Sequence, residues 1–233
     1  MNDKNRTLHR ELTAQTKQPA SRRLSTARIV NAAMFAALTL LATSVLKIQT
    51  PTFGYIHIGD AFVLLSGLFL GPLTGGLAAG IGSGLSDLLG GYVIWVPGTF
   101  AIKFLTAAAA ALVFRAVQAG GQKSFQAKPR FPVNNLSAKT NRLRKGALSD
   151  ASAVILAGIV GELIMIAGYF FYNVLVIAFS GGGFSPAGIA SAFSLSLAEI
   201  PFNAVQGCTG IVLASLLQPV FARIRRSASF LAV

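Results

Sequence analysis

Apolar residues in this 233-residue chain gather into six long stretches, each bounded by glycine, proline or charged residues. A helix needs about 20 residues to cross the hydrocarbon core of a bilayer, and most of the stretches approach or exceed that length. The second stretch is short and has to be extended by its flanks. The pattern predicts an all-α integral membrane protein with six transmembrane helices, at about residues 27–48, 59–70, 73–89, 98–117, 150–179 and 187–220.

Small residues recur at four-residue spacing on two of these predicted helices. Such residues let another helix approach closely, which is a main source of helix association in lipid. On the third helix the pattern predicts tight packing against a neighbour, whereas on the first it leaves two interpretations open, internal packing or a docking face. The residues are Ala32, Ala33, Ala36 and Ala37 on the first helix and Gly76, Gly80 and Gly84 on the third.

Composition and charge agree with a membrane protein and predict its orientation. The chain is 53% hydrophobic and 12% charged, whereas soluble domains carry about 25% charged residues. Its net charge is +13, and the basic residues gather before the first helix, between the fourth and fifth, and after the sixth. By the positive-inside rule these places, and so both termini, are cytoplasmic. We attribute the charge to a solvated surface that faces lipid headgroups, and we expect no nucleic-acid binding.

The same pattern divides the chain into segments. Cys208 is the single cysteine, so there is no disulfide framework. A Gly71–Pro72 turn joins the second and third helices. We predict a disordered basic cytoplasmic tail at 1–26, a six-helix membrane domain at 27–222 with a flexible basic cytoplasmic loop at 118–149, and a cytoplasmic tail at 223–233.

Ionisable residues lie inside the predicted helices, although a charged side chain at the bilayer centre costs about 2.5 to 3.5 kcal/mol on insertion scales. Such residues usually have a function. One alternative is structural, because Glu199 and Lys103 could neutralise each other as a pair. The residues are Asp87, Lys103, Glu162 and Glu199, with Asp60 nearer the interface.

Two polar stripes follow from helical spacing, in which residues at i, i+4 and i+7 share a face. The fifth helix carries Glu162, Tyr169, Tyr172 and Asn173, and the sixth carries Glu199, Asn203 and Gln206. We expect both stripes to point inward. Their outer halves are level with Lys103 and with the outer loops, which predicts a small-molecule pocket near the outer surface.

Aromatic residues in two outer loops would line this pocket. Tyr55 and His57 lie in the first outer loop, and Tyr92 and Trp95 lie in the second. Tyr92 and Trp95 have a second interpretation as anchors at the membrane interface. A metal site at His57 is not expected, since no Cys or carboxylate stands near it at ligand spacing.

Enzyme motifs are missing from the sequence. No Gly-x-x-x-x-Gly-Lys-Ser/Thr occurs, so the chain has no phosphate-binding loop for ATP. The two histidines are His9 and His57, outside the predicted helices, which disfavours an intramembrane serine protease, and His-Glu-x-x-His is absent. We predict no enzyme and no cofactor. The competing function is a proton-coupled secondary transporter of a small metabolite acting through Glu162 and Glu199.

Taken together, the motifs resemble the S component of an energy-coupling factor (ECF) vitamin transporter, in the branch with riboflavin-, pyridoxine- and hydroxymethylpyrimidine-type substrates. The similarity covers about residues 27–118 and 150–222. It depends on the alanine pattern of the first helix, a basic amino terminus, a glycine-rich third helix and three sequence motifs. The motifs are Gly-Tyr-Ile-His-Ile-Gly-Asp at 54–60, Ser-Asp-Leu-Leu-Gly-Gly-Tyr at 86–92, and Glu-Ile-Pro-Phe-Asn-x-x-Gln at 199–206.

The resemblance implies a membrane subunit that captures a vitamin or precursor from outside and delivers it to a transmembrane coupling subunit driven by two cytoplasmic ATPases. It implies residence in a bacterial plasma membrane, and docking through Ala32, Ala33, Ala36 and Ala37. It adds Tyr55, His57, Lys103, Asn173, Glu199 and Asn203 as substrate contacts. With the aromatic residues above, the predicted binding set is Tyr55, His57, Tyr92, Trp95, Lys103, Tyr169, Asn173, Glu199 and Asn203.

Overall fold

A computed structural model describes residues 26–50, 55–126 and 136–231. Contacts divide the chain into two units, 1–30 and 31–233. The described residues form six α-helices and one two-stranded hairpin. They are α1 (Thr26–Val45), β1 (Ile48–Gln49), β2 (Tyr55–Ile56), α2 (Asp60–Leu70), α3 (Pro72–Leu89), α4 (Val96–Gln126), α5 (Leu136–Ile177) and α6 (Pro186–Leu231), with a 3₁₀ turn at Val93–Trp95 and a π-helical turn at Ala178–Gly182.

Four of these helices are long and apolar enough to cross a membrane by length and composition. The candidate spans lie at Thr26–Val45, Val93–Gly120, Asp150–Ser180 and Pro186–Ile224. At 1.5 Å per residue, the 11 residues of α2 extend only about 17 Å. The arrangement of six spans with both termini cytoplasmic therefore stays a prediction.

Several helix ends differ from those predicted. Helix α1 ends at Val45 and a hairpin follows it, α4 continues to Gln126, and α5 begins at Leu136. Most of the loop predicted at 118–149 is thus helical, because its Lys, Arg, Gln and Ala residues are good helix formers. Helix α6 runs without interruption through Pro201 and into the predicted tail at 223–233. The predicted disordered tail, apart from Thr26, lies outside the described residues.

The predicted turn between the second and third helices is present. Gly71 has φ +85°, and its N–H donates to the carbonyl of Gly67 to end α2. Pro72 then opens α3 at the first helical position, where its missing N–H costs nothing. Glycine is suited to this corner because positive φ is disfavoured for other residues.

The glycines of α3 allow the close approach that their spacing predicts. A Cβ built on Gly76 would lie 2.8 Å from the Phe104 ring, and one on Gly80 would lie 2.8 Å from the carbonyl oxygen of Phe100. Larger residues would push α4 away at both positions. The α3–α4 pair is therefore packed backbone to backbone, and it holds the start of α4 under the outer loops.

The alanines of α1 divide between two surfaces. Ala32 and Ala36 are half-buried and pack against the core cluster around Phe35, whereas Ala33 and Ala37 are exposed. Internal packing, the first of the two interpretations, thus accounts for one pair. Docking through the four alanines stays a prediction, and Ala33 and Ala37 are the pair that is exposed.

Candidate functional site

A cavity opens where the hairpin and the 3₁₀ turn meet α3, α4, α5 and α6. It contains about 490 Å³ not occupied by protein atoms, including the space at its open mouth. Its walls come from six elements spread over residues 55–206. The lining residues are Tyr55, His57, Asp87, Tyr92, Trp95, Thr99, Tyr169, Asn173, Glu199, Asn203 and Gln206.

Eight of the nine predicted substrate contacts line this cavity, and Lys103 does not. Sequence reasoning missed three lining residues as contacts. Gln206 was on the predicted stripe of the sixth helix, and Asp87 was recognised as an ionisable residue inside a helix. Thr99 carried no signal, since one threonine near the start of a helix is ordinary.

The β1–β2 hairpin closes one side of the cavity. Ile48 pairs with Ile56 and Gln49 with Tyr55 in antiparallel register. The Tyr55 ring lies 5.0 Å from Tyr92 and 5.5 Å from His57, centroid to centroid. The Tyr55 hydroxyl donates a hydrogen bond to Asp87 Oδ1, which joins the hairpin to α3. Burial first, and then the charge of Asp87, raise the Tyr55 pKa, so the phenol keeps the proton that it donates.

Lys47 lies over these aromatic rings. Its Nζ is 4.4 Å from the centroid of Tyr55 and 5.5 Å from that of Tyr92, within the distance of a cation–π contact. Desolvation lowers the Lys47 pKa, and the charge of Asp87 opposes this shift. Lys47 thus stacks on the tyrosines that line the cavity without lining it itself.

The opposite wall is built on α4 and α5. Trp95 packs against Tyr172 with centroids 5.6 Å apart, and the Tyr172 hydroxyl donates to the carbonyl of Ile94 at 2.7 Å. Tyr172 therefore supports Trp95 rather than lining the cavity. The Tyr169 hydroxyl donates to Thr99 Oγ1 at 3.1 Å, which fixes that ring against α4.

Lys103 belongs to a buried ion pair with Asp60, whereas the structural alternative paired it with Glu199. Its Nζ lies 2.5 Å from Asp60 Oδ1, and both side chains are 0% exposed. Asp60 was expected nearer the interface, but α2 begins at this residue and carries it into the bundle. Lys103 also lies 5.2 Å from the centroid of Tyr169, so it contacts the wall of the cavity from behind.

Gln206 connects this ion pair to the first loop. Its Nε2 donates to Asp60 Oδ2 at 2.7 Å, and its Oε1 accepts from the backbone N–H of His57 at 3.1 Å. Both ends of the amide are therefore engaged within the protein. Gln206 positions the loop, and its polar groups have little left to offer a ligand.

His57 is neutral and has one preferred tautomer. Its Nδ1 accepts from the backbone N–H of Gly59 at 3.0 Å, so the proton sits on Nε2. Burial lowers the pKa of His57 to about 3; Asp60 opposes this shift, and Lys103 and Lys47 add to it. Around neutral pH the ring presents an N–H donor and no charge.

The acid and the amides of α5 and α6 face the same space. Glu199 Oε1 accepts from Thr50 Oγ1 at 2.8 Å. Asn173 is 7% exposed, yet neither its amide nor that of Asn203 hydrogen-bonds to another described residue. Buried amides usually have partners, so these two remain available to a ligand in the cavity.

Glu162 lies away from the cavity lining. It is 3% exposed, and neither carboxyl oxygen has a hydrogen-bond partner among the described residues. It packs against Gly207 and Gly210, where a Cβ would lie 3.2 Å and 3.4 Å from its oxygens. In the described part of the chain, no three His, Cys, Asp or Glu residues are grouped so as to hold a metal ion.

Comparisons with known proteins identify a family for this chain. The family model described as "ECF-type riboflavin transporter, S component" matches residues 23–223. A solved structure described as the S component of a bacterial ECF transporter aligns with a TM-score of 0.49 at 20% identity, covering 88% of this chain and 97% of that chain. An uncharacterized protein from Pyrococcus woesei is 39% identical over 64 residues, or 27% of this chain. The chain thus spans only 43% of the length of that curated relative.

Proposed function

This chain belongs to the S-component family of ECF-type riboflavin transporters, and we propose that it captures a small heterocyclic vitamin or precursor of riboflavin, pyridoxine or hydroxymethylpyrimidine type. The family is membrane-embedded, and its members are substrate-binding subunits of vitamin transporters rather than enzymes. In the proposal the substrate enters from outside a bacterial cell through the mouth of the cavity. It then passes to a transmembrane coupling subunit driven by two cytoplasmic ATPases.

The observation that carries this proposal is that one cavity is lined both by aromatic side chains and by two amides without a hydrogen-bond partner among the described residues. Flat heterocycles bind by stacking on aromatic rings, and polar groups at the ring edge fix their orientation. Tyr55, Tyr92 and Trp95 supply rings at the mouth. Asn173 and Asn203 supply amides that have no hydrogen-bond partner among the described residues.

The docking part of the proposal concerns the exposed face of α1. Ala33 and Ala37 are exposed there, beside Met34 and Leu41, which are 43% and 57% exposed. Small residues on an apolar helix face permit a close helix–helix contact. Ala32 and Ala36 support that face from within, through their packing against the core.

A binding experiment on the purified full-length chain in lipid nanodiscs tests the proposal. Riboflavin, pyridoxine and hydroxymethylpyrimidine are titrated without ATP, and any co-purified ligand is identified by mass spectrometry. We expect one of them to bind with 1:1 stoichiometry. Asn203→Ala should abolish binding. Val205→Ala, on the 57% exposed side of the same helix, should leave it unchanged.

The outcome that contradicts the proposal is a folded preparation that binds no compound of the panel. Equal binding by the Asn203→Ala variant and the wild type would contradict the assignment of this cavity. A separate test reconstitutes uptake with the coupling module, where transport should require ATP and withstand a protonophore.

The second candidate function, a proton-coupled secondary transporter, is favoured by one observation. Glu162 is a buried carboxyl group whose oxygens have no partner among the described residues, and intramembrane acids of this kind often carry protons in transporters. Uptake by the chain alone, driven by a proton gradient without ATP, would support it. Loss of that uptake in Glu162→Gln would place the proton at this residue.

A further inference from the structure

We propose that the cavity selects against anionic ligands, and that Asp87 and Glu199 are its specificity-determining residues. The inference rests on the proposed function and narrows its substrate class. The ligand is an uncharged or cationic nitrogen heterocycle that carries O–H or N–H donors. Phosphate esters and carboxylates of the same ring are rejected.

The charged residues that line the cavity are all acidic. Of the eleven lining residues, Asp87 and Glu199 are acidic and none is Lys or Arg. Both acids are buried, at 3% and 5% exposure. Each receives a hydroxyl hydrogen bond, from Tyr55 and Thr50 respectively, and a hydrogen bond to a carboxylate is stronger than one between neutral groups.

The nearby cations Lys103 and Lys47 lie outside the lining. Lys103 is 0% exposed and its Nζ is bound to Asp60, so it cannot reach an anion in the cavity. Lys47 lies over the rings of Tyr55 and Tyr92 without being a lining residue itself, and its Nζ donates to the Ser86 carbonyl at 3.4 Å. His57 is neutral. Residues 51–54, which complete the first loop, carry no charged side chain in the sequence.

The hydrogen-bonding groups of the lining favour a ligand that brings donors. A carboxylate only accepts, so any hydrogen bond between a ligand and Asp87 or Glu199 needs a donor on the ligand. The neutral His57 ring contributes one donor, and the amides of Asn173 and Asn203 can both donate and accept. A ring with hydroxyl or N–H groups matches this set. A phosphate, which brings only acceptors and negative charge, does not.

The consequence is a large difference in affinity between a heterocycle and its phosphate ester. Charges interact more strongly in a partly buried site than in water, because the effective dielectric constant is lower. A phosphate facing two carboxylates and no lining cation should bind at least 100-fold more weakly than the parent alcohol. A site with a phosphate-binding arginine or lysine would show the reverse order.

Paired ligand titrations test this inference on the full-length chain in nanodiscs. Riboflavin is compared with riboflavin 5′-phosphate, and pyridoxine with pyridoxine 5′-phosphate and with pyridoxamine. We expect the phosphate ester of the binding compound to lose at least 100-fold in affinity. If pyridoxine binds, its aminomethyl counterpart should bind at least equally well.

Isosteric variants test the two residues. Glu199→Gln retains an oxygen that can accept from Thr50, and Asp87→Asn retains one that can accept from Tyr55. Each single variant should narrow the gap between alcohol and phosphate about tenfold, mainly by improving binding of the phosphate. Glu162→Gln, a carboxyl outside the lining, is the matched control and should keep the full gap. Since each single variant is informative alone, failure of one to fold leaves the other as the test.

The outcomes separate this inference from the proposed function. Equal affinity for alcohol and phosphate in the wild type would overturn the inference and leave the proposed function standing. An unchanged gap in both single variants would overturn the role of Asp87 and Glu199. Binding of no heterocycle, charged or uncharged, would overturn the proposed function and this inference with it.

Discussion

Replacing Lys103 with methionine should destabilise the protein strongly. Lys103 and Asp60 are both 0% exposed with Nζ and Oδ1 2.5 Å apart, so Lys103→Met leaves a buried carboxylate without its counter-charge. Breaking a buried ion pair from one side costs about 3 to 5 kcal/mol. With about 2 to 4 °C per kcal/mol for a chain of this size, Tm should fall by about 6 to 20 °C.

The assay is thermal unfolding of the purified protein in one detergent, followed by tryptophan fluorescence of Trp95. Leu105→Met, on the 53% exposed side of the same helix, is the matched control and should leave Tm nearly unchanged. Lys103→Met combined with Asp60→Asn removes both charges while keeping an oxygen that can accept from Gln206. This double variant should be more stable than Lys103→Met alone, with a coupling energy of about 1 to 3 kcal/mol.

Ligand binding provides a second measurement on the same variants. Gln206 donates to Asp60 and accepts from the His57 backbone, so displacement of Asp60 moves the first loop. Affinity should therefore fall in Lys103→Met although Lys103 does not line the cavity. An unchanged Tm in Lys103→Met, or strictly additive effects in the double variant, would refute the reasoning.

Three further predictions follow from the described contacts. Ala37→Trp, on the exposed face of α1, should abolish ATP-driven uptake with the coupling module and leave ligand binding intact. Ala36→Trp, which faces the core, should lower Tm. Equal effects of the two variants on uptake and on Tm would contradict the division of the α1 alanines into an exposed and a core-facing pair. Glu162→Met should raise stability by about 1 to 3 kcal/mol, the cost of an unsatisfied buried polar group, as measured by Tm; loss of stability would show that the carboxyl has a partner. The pKa of His57 is about 3 in the folded state and about 6.5 in the unfolded state, so between these values the unfolded chain binds the extra proton. The contribution of His57 to stability is therefore full above pH 6.5, and the free energy of unfolding should fall by up to about 1.4 kcal/mol per pH unit towards pH 3. In His57→Gln this dependence of stability on pH should be smaller.

Helical spacing predicted the α5 and α6 residues of the candidate site, five of the eleven that line the cavity, because it fixes which residues share a face. The stripe of Glu199, Asn203 and Gln206 follows from spacing alone, and all three line the cavity. Spacing cannot rank the members of a stripe by what their polar groups contact. The engagement of Gln206 at both ends depends on a loop and a helix about 150 residues away, which no local pattern encodes.

The pairing of Lys103 shows a second limit of sequence reasoning. Depth along a helix placed Lys103 level with the outer half of the stripe that carries Glu199, and Asp60 was expected nearer the interface. The structure places Asp60 elsewhere because α2 packs closely against α4. A Cβ on Gly67 would lie only 2.1 Å from the Ala107 carbonyl oxygen. At that distance between backbones, the first residue of α2 reaches the interior. The pairing of Lys103 with Asp60 therefore depends on the close contact of two helices at Gly67, and the sequence does not show which helix Gly67 contacts.

The polar residues around the cavity divide into those that hold the fold and those that remain for a ligand. Asp60, Lys103 and Gln206 satisfy one another and the first loop, so a ligand gains little from them directly. Asn173 and Asn203 have no such partners within the described chain, and a bound heterocycle would supply them. A ligand that contacts these amides and the loop residue Tyr55 at once would link α5 and α6 to the hairpin. Binding should therefore raise Tm in proportion to the logarithm of ligand concentration above Kd, and this dependence should be lost in Asn203→Ala while the Tm without ligand stays close to that of the wild type.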